Sequence, residues 1–207
     1  MTIRGAGAGV PETSESVEDA ILMRAVARGE TEPFAVLVRR HGSRLYRIAL
    51  RMTGDGSEAE DIVQECFTRL WQAAPGWQPR GAGLAGWLCR VTMNLCRDRH
   101  RRLRIVADGA IPERADDQPL ADRQIELVEA QQALLRALAD LPERYRGALV
   151  LCYYEGLSNV MAADILDLSV KALESLLVRA RKQLRTLLER EQYRIRHVRT
   201  EVGEEAA

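Results

Sequence analysis

The densest positive charge in the chain lies between Asn94 and Arg104, in the sequence NLCRDRHRRLR. Arginine side chains bind phosphate oxygens with salt-dependent affinity, and Asn and Arg also hydrogen-bond to base edges. Arginines this close together repel one another, and anionic phosphates relieve that repulsion. We therefore interpret this segment as a nucleic-acid-binding surface rather than a solubilising one.

Two tryptophans lie near this basic segment. Trp77 is inside the Gly- and Pro-rich segment 75–83, and Trp87 follows it. Exposed aromatic rings beside arginines are platforms on which unstacked bases can stack. Packing in the core is the simpler alternative for Trp87, so the sequence leaves its role open.

A second basic cluster lies in the segment 155–185, EGLSNVMAADILDLSVKALESLLVRARKQLR. Ser158 and Ser169 are predicted helix N-caps, and Asp167 lies in the turn between the helices, where a positive φ is expected. The predicted buried face of the first helix is Val160, Ala163 and Ile165 or Leu166. That of the second helix is Val170, Leu173, Leu177, Ala180, Leu184 and Leu187 or Leu188. This pattern indicates a helix-turn-helix, whose second helix enters the DNA major groove. An ordinary solvated basic face is the alternative.

Acidic residues concentrate in the segment 55–67, DGSEAEDIVQECF. Carboxylates at a helix N-terminus favour the helix dipole, which is a sufficient structural reason for the first of them. Asp61, Gln64 and Glu65 lie further along the helix, next to Ile62 and Val63. An apolar strip with an acidic rim suits docking against a basic helix of another protein.

The 207-residue chain has a formal net charge of zero, but its charges are segregated into acidic and basic blocks. Such blocks make separate surfaces for separate partners. The four cysteines form no CxxC motif, which favours free thiols in a reducing cytoplasm. Cys89, Cys96 and His100 share a helix face and could bind a metal, but small buried cysteines and a histidine of the basic cluster are the favoured interpretation. We predict no catalytic site, metal, cofactor or small-molecule substrate.

The hydrophobic spacing predicts an all-α fold of two small helical domains joined by a flexible linker, the second containing the helix-turn-helix. Predicted helices cover about 17–28, 31–54, a third capped by Ser57, 84–105, 122–138 and 142–155, with a loop over 75–83. Predicted units are a disordered leader 1–15, a first domain 16–106, a linker 107–120, a second domain 121–190 and a tail 191–207.

Three segments occur in a characteristic order: AEDIVQECFTRLW (59–71), WLCRVTMNLCRDRHRR (87–102) and the helix-turn-helix. Together they resemble the extracytoplasmic-function (ECF) sigma factors, a two-domain class of bacterial sigma factors. The resemblance implies a transcription initiation factor that binds core RNA polymerase, through the β′ clamp helices and the β subunit, and promoter DNA. It also implies an anti-sigma partner and a location in the cytoplasm, or at the inner membrane where an anti-sigma factor holds the protein there.

The resemblance also assigns site residues. Those expected to bind core polymerase are Glu58, Asp61, Ile62, Gln64 and Glu65. Those expected at the minus-ten element are Trp87, Asn94, Arg97, His100, Arg101 and Arg102, with a flipped base near the loop. Those expected at the minus-thirty-five element are Ser169, Lys171, Ala172, Glu174, Ser175, Arg179 and Lys182. Ala172, Glu174 and Leu176 replace the Thr, Lys and Arg of many members. Glu174 could accept a hydrogen bond from a cytosine amino group, whereas Leu176 does not suit a DNA contact.

Two rival functions differ in what they require. A helix-turn-helix regulator that works without polymerase has no use for the acidic segment 58–67. A thiol- or metal-dependent enzyme built on Cys96 and His100 has no supporting Ser/His/Asp order, phosphate loop or paired acids.

Overall fold

The computed structural model describes residues 14–79, 81–106 and 133–205, and side chains over 17–79, 81–101 and 133–191. Its helices are α1 (Ser14–Val26), α2 (Thr31–Thr53), α3 (Gly56–Ala73), α4 (Gly83–Val106), α5 (133–139), α6 (Glu143–Leu149), α7 (Asn159–Leu166) and α8 (Val170–Glu205). A short 3₁₀ turn covers Ala74–Gly76 and a π-helical turn covers Val150–Tyr154. The described residues contain no strand, and the all-α prediction is confirmed.

Helices α1–α4 form what we call the N-terminal unit. α2 lies at its centre and contacts α1, α3 and α4. Leu37, Ile48 and Leu70 are almost fully buried between these helices, and each such side chain contributes about 1.5–3 kcal/mol when removed from water. α2 ends at Gly54, which has a φ of 76° and donates its N–H to the carbonyl of Leu50. Glycine suits this left-handed position because it has no Cβ.

A buried polar cluster fixes α1 on α2. Asp19 is buried, and its carboxylate accepts from Arg40 Nη1 at 2.7 Å and lies 2.9 Å from His41 Nε2. A buried carboxylate needs such partners, because leaving water is costly. His41 is therefore a satisfied core histidine, as its place on the apolar face of α2 predicts.

Helices α5–α8 form the C-terminal unit, which contains the predicted helix-turn-helix. Ser158 Oγ accepts from Met161 N and Ser169 Oγ accepts from Ala172 N, both at 3.2 Å, so both predicted caps are confirmed. Asp167 has a φ of 57°, the left-handed turn expected there. A short polar side chain tolerates this conformation better than most residues do.

Two predicted core residues of this motif are wrong, and Leu157, Ala162 and Leu176, which were not predicted in the core, are buried. Val160 is 57% exposed and Val170 is 37% exposed, because each lies in the first turn of its helix, before the helix meets its neighbours. Leu176 is only 8% exposed and packs with Leu173 and Leu177 in the core. Its burial explains a residue that did not suit a DNA contact.

Several predicted boundaries also change. The cap of α3 is Asp55, whose side chain accepts from Glu58 N at 2.8 Å, and Ser57 lies inside the helix. The predicted helix 142–155 is shorter, because α6 gives way to the π-helical turn at Val150. The predicted tail 191–207 is not a separate segment as far as Glu205, because α8 continues to that residue. The predicted disordered leader 1–15 overlaps α1, which begins at Ser14, and its residues 1–13 lie outside the described residues. The linker 107–120 and the start of the helix predicted at 122–138 also lie outside the described residues, and the domain boundaries stay predictions.

The two units are packed against each other. α4 contacts α7, and α2 contacts both α6 and the π-helical turn. Their buried apolar side chains belong to one continuous cluster that extends from Met23 to Ala180. Over the part of the chain that is described, no helix is long and apolar enough to cross a membrane.

Candidate nucleic-acid interface and docking surface

A cavity of about 440 Å³ opens between the loop after α3 and the first turns of α4. Its lining residues are Ala73, Gly76, Trp77, Gln78, Ala82, Gly83, Gly86, Trp87, Arg90 and Asp164. Both tryptophans are half-buried: they pack partly on the core and present the rest of their rings to the cavity. The two interpretations of Trp87 are therefore compatible, and the cavity combines aromatic walls with a guanidinium, the chemistry that binds an unstacked base.

The arginine cluster follows this cavity along α4. Asn94, Arg97 and Arg101 are exposed and His100 is half-buried, while the side chain of Arg102 lies outside the described residues. Arg97 donates to Glu143 at 3.0 Å, and Arg101 lies 3.4 Å from Asp98. Both pairs are solvent-exposed, so each contributes at most about 1 kcal/mol, and phosphates can replace the carboxylates.

The outer face of α8 carries every residue predicted for the minus-thirty-five element. Ser169, Lys171, Ala172, Glu174, Ser175, Arg179 and Lys182 are all exposed. The opposite face holds Leu173, Leu176, Leu177 and Ala180 in the core. A helix anchored along one face and polar along the other is what insertion into a major groove requires.

An apolar groove lies on the other side of the N-terminal unit, between α2 and α3. Its volume is about 570 Å³, and its lining residues are Phe34, Val38, Tyr46, Glu60, Val63, Gln64, Phe67, Thr68, Trp71 and Gln72. The Phe34 ring meets the edge of Phe67 at 6.1 Å and of Trp71 at 5.1 Å between centroids. Trp71 is 37% exposed. Exposed aromatic surface with a polar rim is typical of a protein-docking site.

Of the predicted polymerase-binding residues, Gln64 lines this groove. Asp61, Ile62, Gln64 and Glu65 line a separate pocket between α3 and α4, where Arg99 lies 3.4 Å from Asp61 and Arg69 lies 2.9 Å from Glu65. Glu58 is half-buried in the first turn of α3. Ile62 is only 1% exposed, so it supports the helix from beneath. Sequence reasoning missed the contribution of Phe34 because it comes from a different helix, and hydrophobic spacing does not show which helices meet.

Ion pairs between the two units were also not predicted from the sequence. Glu155, after the π-helical turn, has a side chain only 2% exposed that faces Arg44, Arg47 and Arg51 of α2. On α7, Asp164 pairs with Arg90 at 2.8 Å, at the edge of the cavity described above. The arginine spacing on α2 was a visible signal, since those residues share a helix face. Their partner Glu155 lies more than a hundred residues further along the chain, and the spacing of the arginines gives no signal of it.

The four cysteines are free thiols, and Cys66, Cys89 and Cys96 are buried. Burial raises the pKa of Cys66 and of Cys89 to about 11, and that of Cys96 to about 12. Thiols this hard to ionise are poor nucleophiles and poor metal ligands. Among the residues that the structure describes, no group of three or more His, Cys, Asp or Glu side chains could hold a metal ion.

Comparison with protein families matches both units. The Sigma-70 region 2 family matches residues 37–105, and the Sigma-70 region 4 family matches residues 131–184. The first range contains the residues that line the cavity and the groove, apart from Asp164 and Phe34, and the second contains α7 and the start of α8.

Individual relatives agree with these matches. The ECF RNA polymerase sigma factor SigE of Mycolicibacterium smegmatis is 37% identical over 73% of this chain and 60% of its own length. The RNA polymerase sigma factor NccH of Alcaligenes xylosoxydans xylosoxydans is 32% identical over 87% of this chain and 99% of its own length. Among solved structures, the sigma factor RpoE of Bartonella quintana, in complex with the anti-sigma factor NepR, matches with a TM-score of 0.62. It is 26% identical over 75% of this chain and 96% of that chain. The chain therefore belongs to the ECF subfamily of the RNA polymerase sigma factors.

Proposed function

We propose that this protein is a transcription initiation factor that binds core RNA polymerase and directs it to a subset of promoters. One observation carries the proposal. Two separate basic faces, on α4 and on α8, occur in one chain with an apolar groove between α2 and α3, whose lining includes Glu60 and Gln64. A regulator that works without polymerase has no need of that groove.

The assignment of DNA elements follows from the chemistry of each face. The cavity between Trp77, Trp87 and Arg90 suits a base flipped out of the minus-ten element, with Asn94, Arg97 and Arg101 along the strand. The exposed face of α8 suits duplex DNA at the minus-thirty-five element. Glu174 is acidic and exposed there, and it accepts from the amino group of cytosine in our assignment.

Promoter melting on this proposal uses binding free energy alone. Extruding a base costs a few kcal/mol, roughly, and the cavity returns that energy only when the base fits. The protein supplies recognition and strand separation, and the polymerase supplies the nucleotidyl-transfer chemistry. An anti-sigma protein is a proposed partner, supported by the anti-sigma complex of the Bartonella relative. The proposed site of action is the cytoplasm, where the polymerase is.

The decisive experiment is run-off transcription by core polymerase with this protein on a promoter library. We expect initiated transcripts from a discrete subset of promoters, and none from core polymerase alone. Absence of any transcript, with folded protein, would exclude the proposed function.

The docking surface can be tested by charge reversal. We expect Asp61→Lys with Glu65→Lys to weaken core polymerase binding by at least about tenfold, because like charges then meet across the interface. The control is Glu189→Lys, an exposed acid on α8 in the C-terminal unit. Unchanged polymerase binding by the double variant would show that this surface is the wrong one.

A further inference from the structure

We infer that a pocket between α6 and α8 in the C-terminal unit binds backbone phosphates of duplex DNA, beyond the residues that read bases. This inference rests on the proposed function, because it takes the outer face of α8 as a DNA-binding face. It adds ligand groups on Tyr145, Gln183 and Arg190, which the sequence did not assign to DNA. The pocket has a volume of about 370 Å³, and we call it the α6–α8 pocket.

The α6–α8 pocket is formed by one stripe of α8 and one residue of α6. Its α8 residues recur at helical spacing and therefore lie on one face of the helix: Arg179, Lys182, Gln183, Thr186, Leu187 and Arg190. α6 packs against α8 and brings Tyr145 to the same place. Tyr145 and Leu187 are half-buried against the core, so they form the floor of the pocket, and the three cations lie at its exposed rim.

The charge of the pocket is positive throughout. Arg179, Lys182 and Arg190 line it, and no acid does. Within the described part of the chain, no carboxylate forms an ion pair with any of these three cations. By contrast, Arg90 and Arg97 of α4 are both paired with acids. Like charges at neighbouring positions of a helix repel one another, so an anionic ligand would stabilise this stripe of α8.

The hydrogen-bond donors of the pocket suit phosphate oxygens. Arg179 Nε donates to the carbonyl of Ser175 at 3.2 Å, which orients the guanidinium and leaves its terminal nitrogens for a ligand. Thr186 donates to a carbonyl within α8, so the neutral donors are the Gln183 amide and the Tyr145 hydroxyl. Guanidinium and ammonium groups bind phosphates through short, charge-assisted hydrogen bonds.

The position of the pocket along α8 indicates duplex DNA as the source of the phosphates. α8 rises by about 30 Å between Val170 and Arg190, whereas a major groove is about 12 Å wide. A helix whose first turns lie in the groove therefore meets the sugar–phosphate backbone further along its length. Arg179 and Lys182 belong both to the proposed recognition face and to the pocket, so the two surfaces are continuous.

The pocket extends past the part of the chain that the family comparison matches. The Sigma-70 region 4 match ends at residue 184, and Thr186, Leu187 and Arg190 follow it. α8 continues without a break through these residues. The extension of α8 thus supplies the outer half of the site. It adds affinity that does not depend on DNA sequence, because phosphates carry no sequence information.

The test measures duplex binding by the full chain, without polymerase, over a range of salt concentrations. The probe is a fluorescein-labelled duplex of randomised sequence, and fluorescence anisotropy reports its binding. Arg190→Gln removes a cation of the pocket, while the matched control Arg185→Gln removes an exposed arginine of α8 that does not line it. We expect Arg190→Gln to weaken binding at least about threefold at low salt, and to lower the slope of log K against log salt by about one. The control should keep the wild-type slope.

A charge-retaining variant and a second ligand sharpen the result. Arg190→Lys should keep most of the slope, because an ammonium group still neutralises a phosphate. Inorganic tripolyphosphate, titrated by calorimetry, is the free source of the same chemistry. We expect wild type and Arg190→Gln to differ in their DNA slopes and not in their affinity for tripolyphosphate.

Each outcome decides the inference. A slope lowered by Arg190→Gln and not by Arg185→Gln supports it, and equal slopes for the two variants overturn it. Tripolyphosphate binding that Arg190→Gln abolishes, with an unchanged DNA slope, shows that the pocket takes a free polyphosphate and overturns the DNA assignment. Arg190 is exposed, so its substitution leaves the fold intact, which circular dichroism checks. Since polymerase is absent, failure here leaves the run-off result standing, and failure of the run-off assay does not alter the measured slopes.

Discussion

The two units present their DNA-binding faces differently. The recognition face of α8 in the C-terminal unit is exposed from Ser169 to Lys182. The corresponding face of the N-terminal unit lies partly against the C-terminal unit, and two of its arginines, Arg90 and Arg97, are paired with acids of that unit. The face proposed to bind separated strands is thus partly covered, and the face proposed to read duplex DNA is exposed.

This difference follows from the chemistry each face uses. Duplex reading needs a rigid helix that projects outward, and burial of Leu173, Leu176 and Leu177 supplies the rigidity. Strand capture needs arginines and an open cavity, which are the features that also attract carboxylates. The comparison predicts that breaking the contact between the two units both lowers the stability of the units and makes the arginines of α4 more accessible.

The largest effect is expected from breaking the core of one unit and observing the other. Leu173→Ala should lower the free energy of unfolding of the C-terminal unit by about 2–5 kcal/mol, because Leu173 is fully buried. All three tryptophans, Trp71, Trp77 and Trp87, lie in the N-terminal unit, so their emission reports that unit while circular dichroism reports both. Urea unfolding followed by both signals is the measurement.

The matched variant for that experiment is Leu70→Ala, at a fully buried position of α3 in the N-terminal unit. This variant should lower the urea midpoint of the transition that tryptophan emission reports. If Leu173→Ala leaves the tryptophan transition at its wild-type midpoint, the units unfold independently and the coupling in our comparison is absent.

An intermediate effect is expected at Arg146. Arg146→Met should cost about 1–3 kcal/mol, because backbone carbonyls of Met52, Ala139 and Leu141 lose a buried donor. It should also separate the tryptophan and circular dichroism transitions, since Met52 belongs to the other unit. Arg144→Met, at an exposed neighbouring position, is the control and should do neither.

The smallest effect concerns a helix start within the N-terminal unit. Asp55→Ala should cost about 1 kcal/mol, because Asp55 caps α3. Ser57→Ala should change stability by less than about 0.5 kcal/mol, since Ser57 is an exposed residue inside the helix. Thermal unfolding of the two variants decides between the caps, and a larger loss with Ser57→Ala would contradict the structure.

Local signals in the sequence predicted most of the fold. Helical periodicity placed α2 and α4 within a residue or two of their ends, and hydroxyl caps at Ser158 and Ser169 defined the helix-turn-helix. The errors have local causes. Ser57 and Asp55 are both good capping residues, and only the backbone shows which one accepts the hydrogen bond.

Features that depend on distant contacts could not be predicted. The groove needs Phe34 of α2 beside Trp71 of α3, and the cavity needs Asp164 beside Arg90. No periodicity encodes such pairs, because it reports which face of a helix is buried and not what buries it. Leu176 shows the converse: the sequence indicated only that it does not suit a DNA contact, and the structure places it in the core.

The length of α8 gives the helix-turn-helix a mechanical property. The helix has 36 residues, which corresponds to about 54 Å along its axis, and its recognition face occupies only the first four turns. A tilt of about 10° at its N-terminal end would move the far end by about 9 Å over that length. A distance probe at the far end would therefore be a sensitive measure of small rotations of α8 about the turn at Asp167, next to the face proposed to bind DNA.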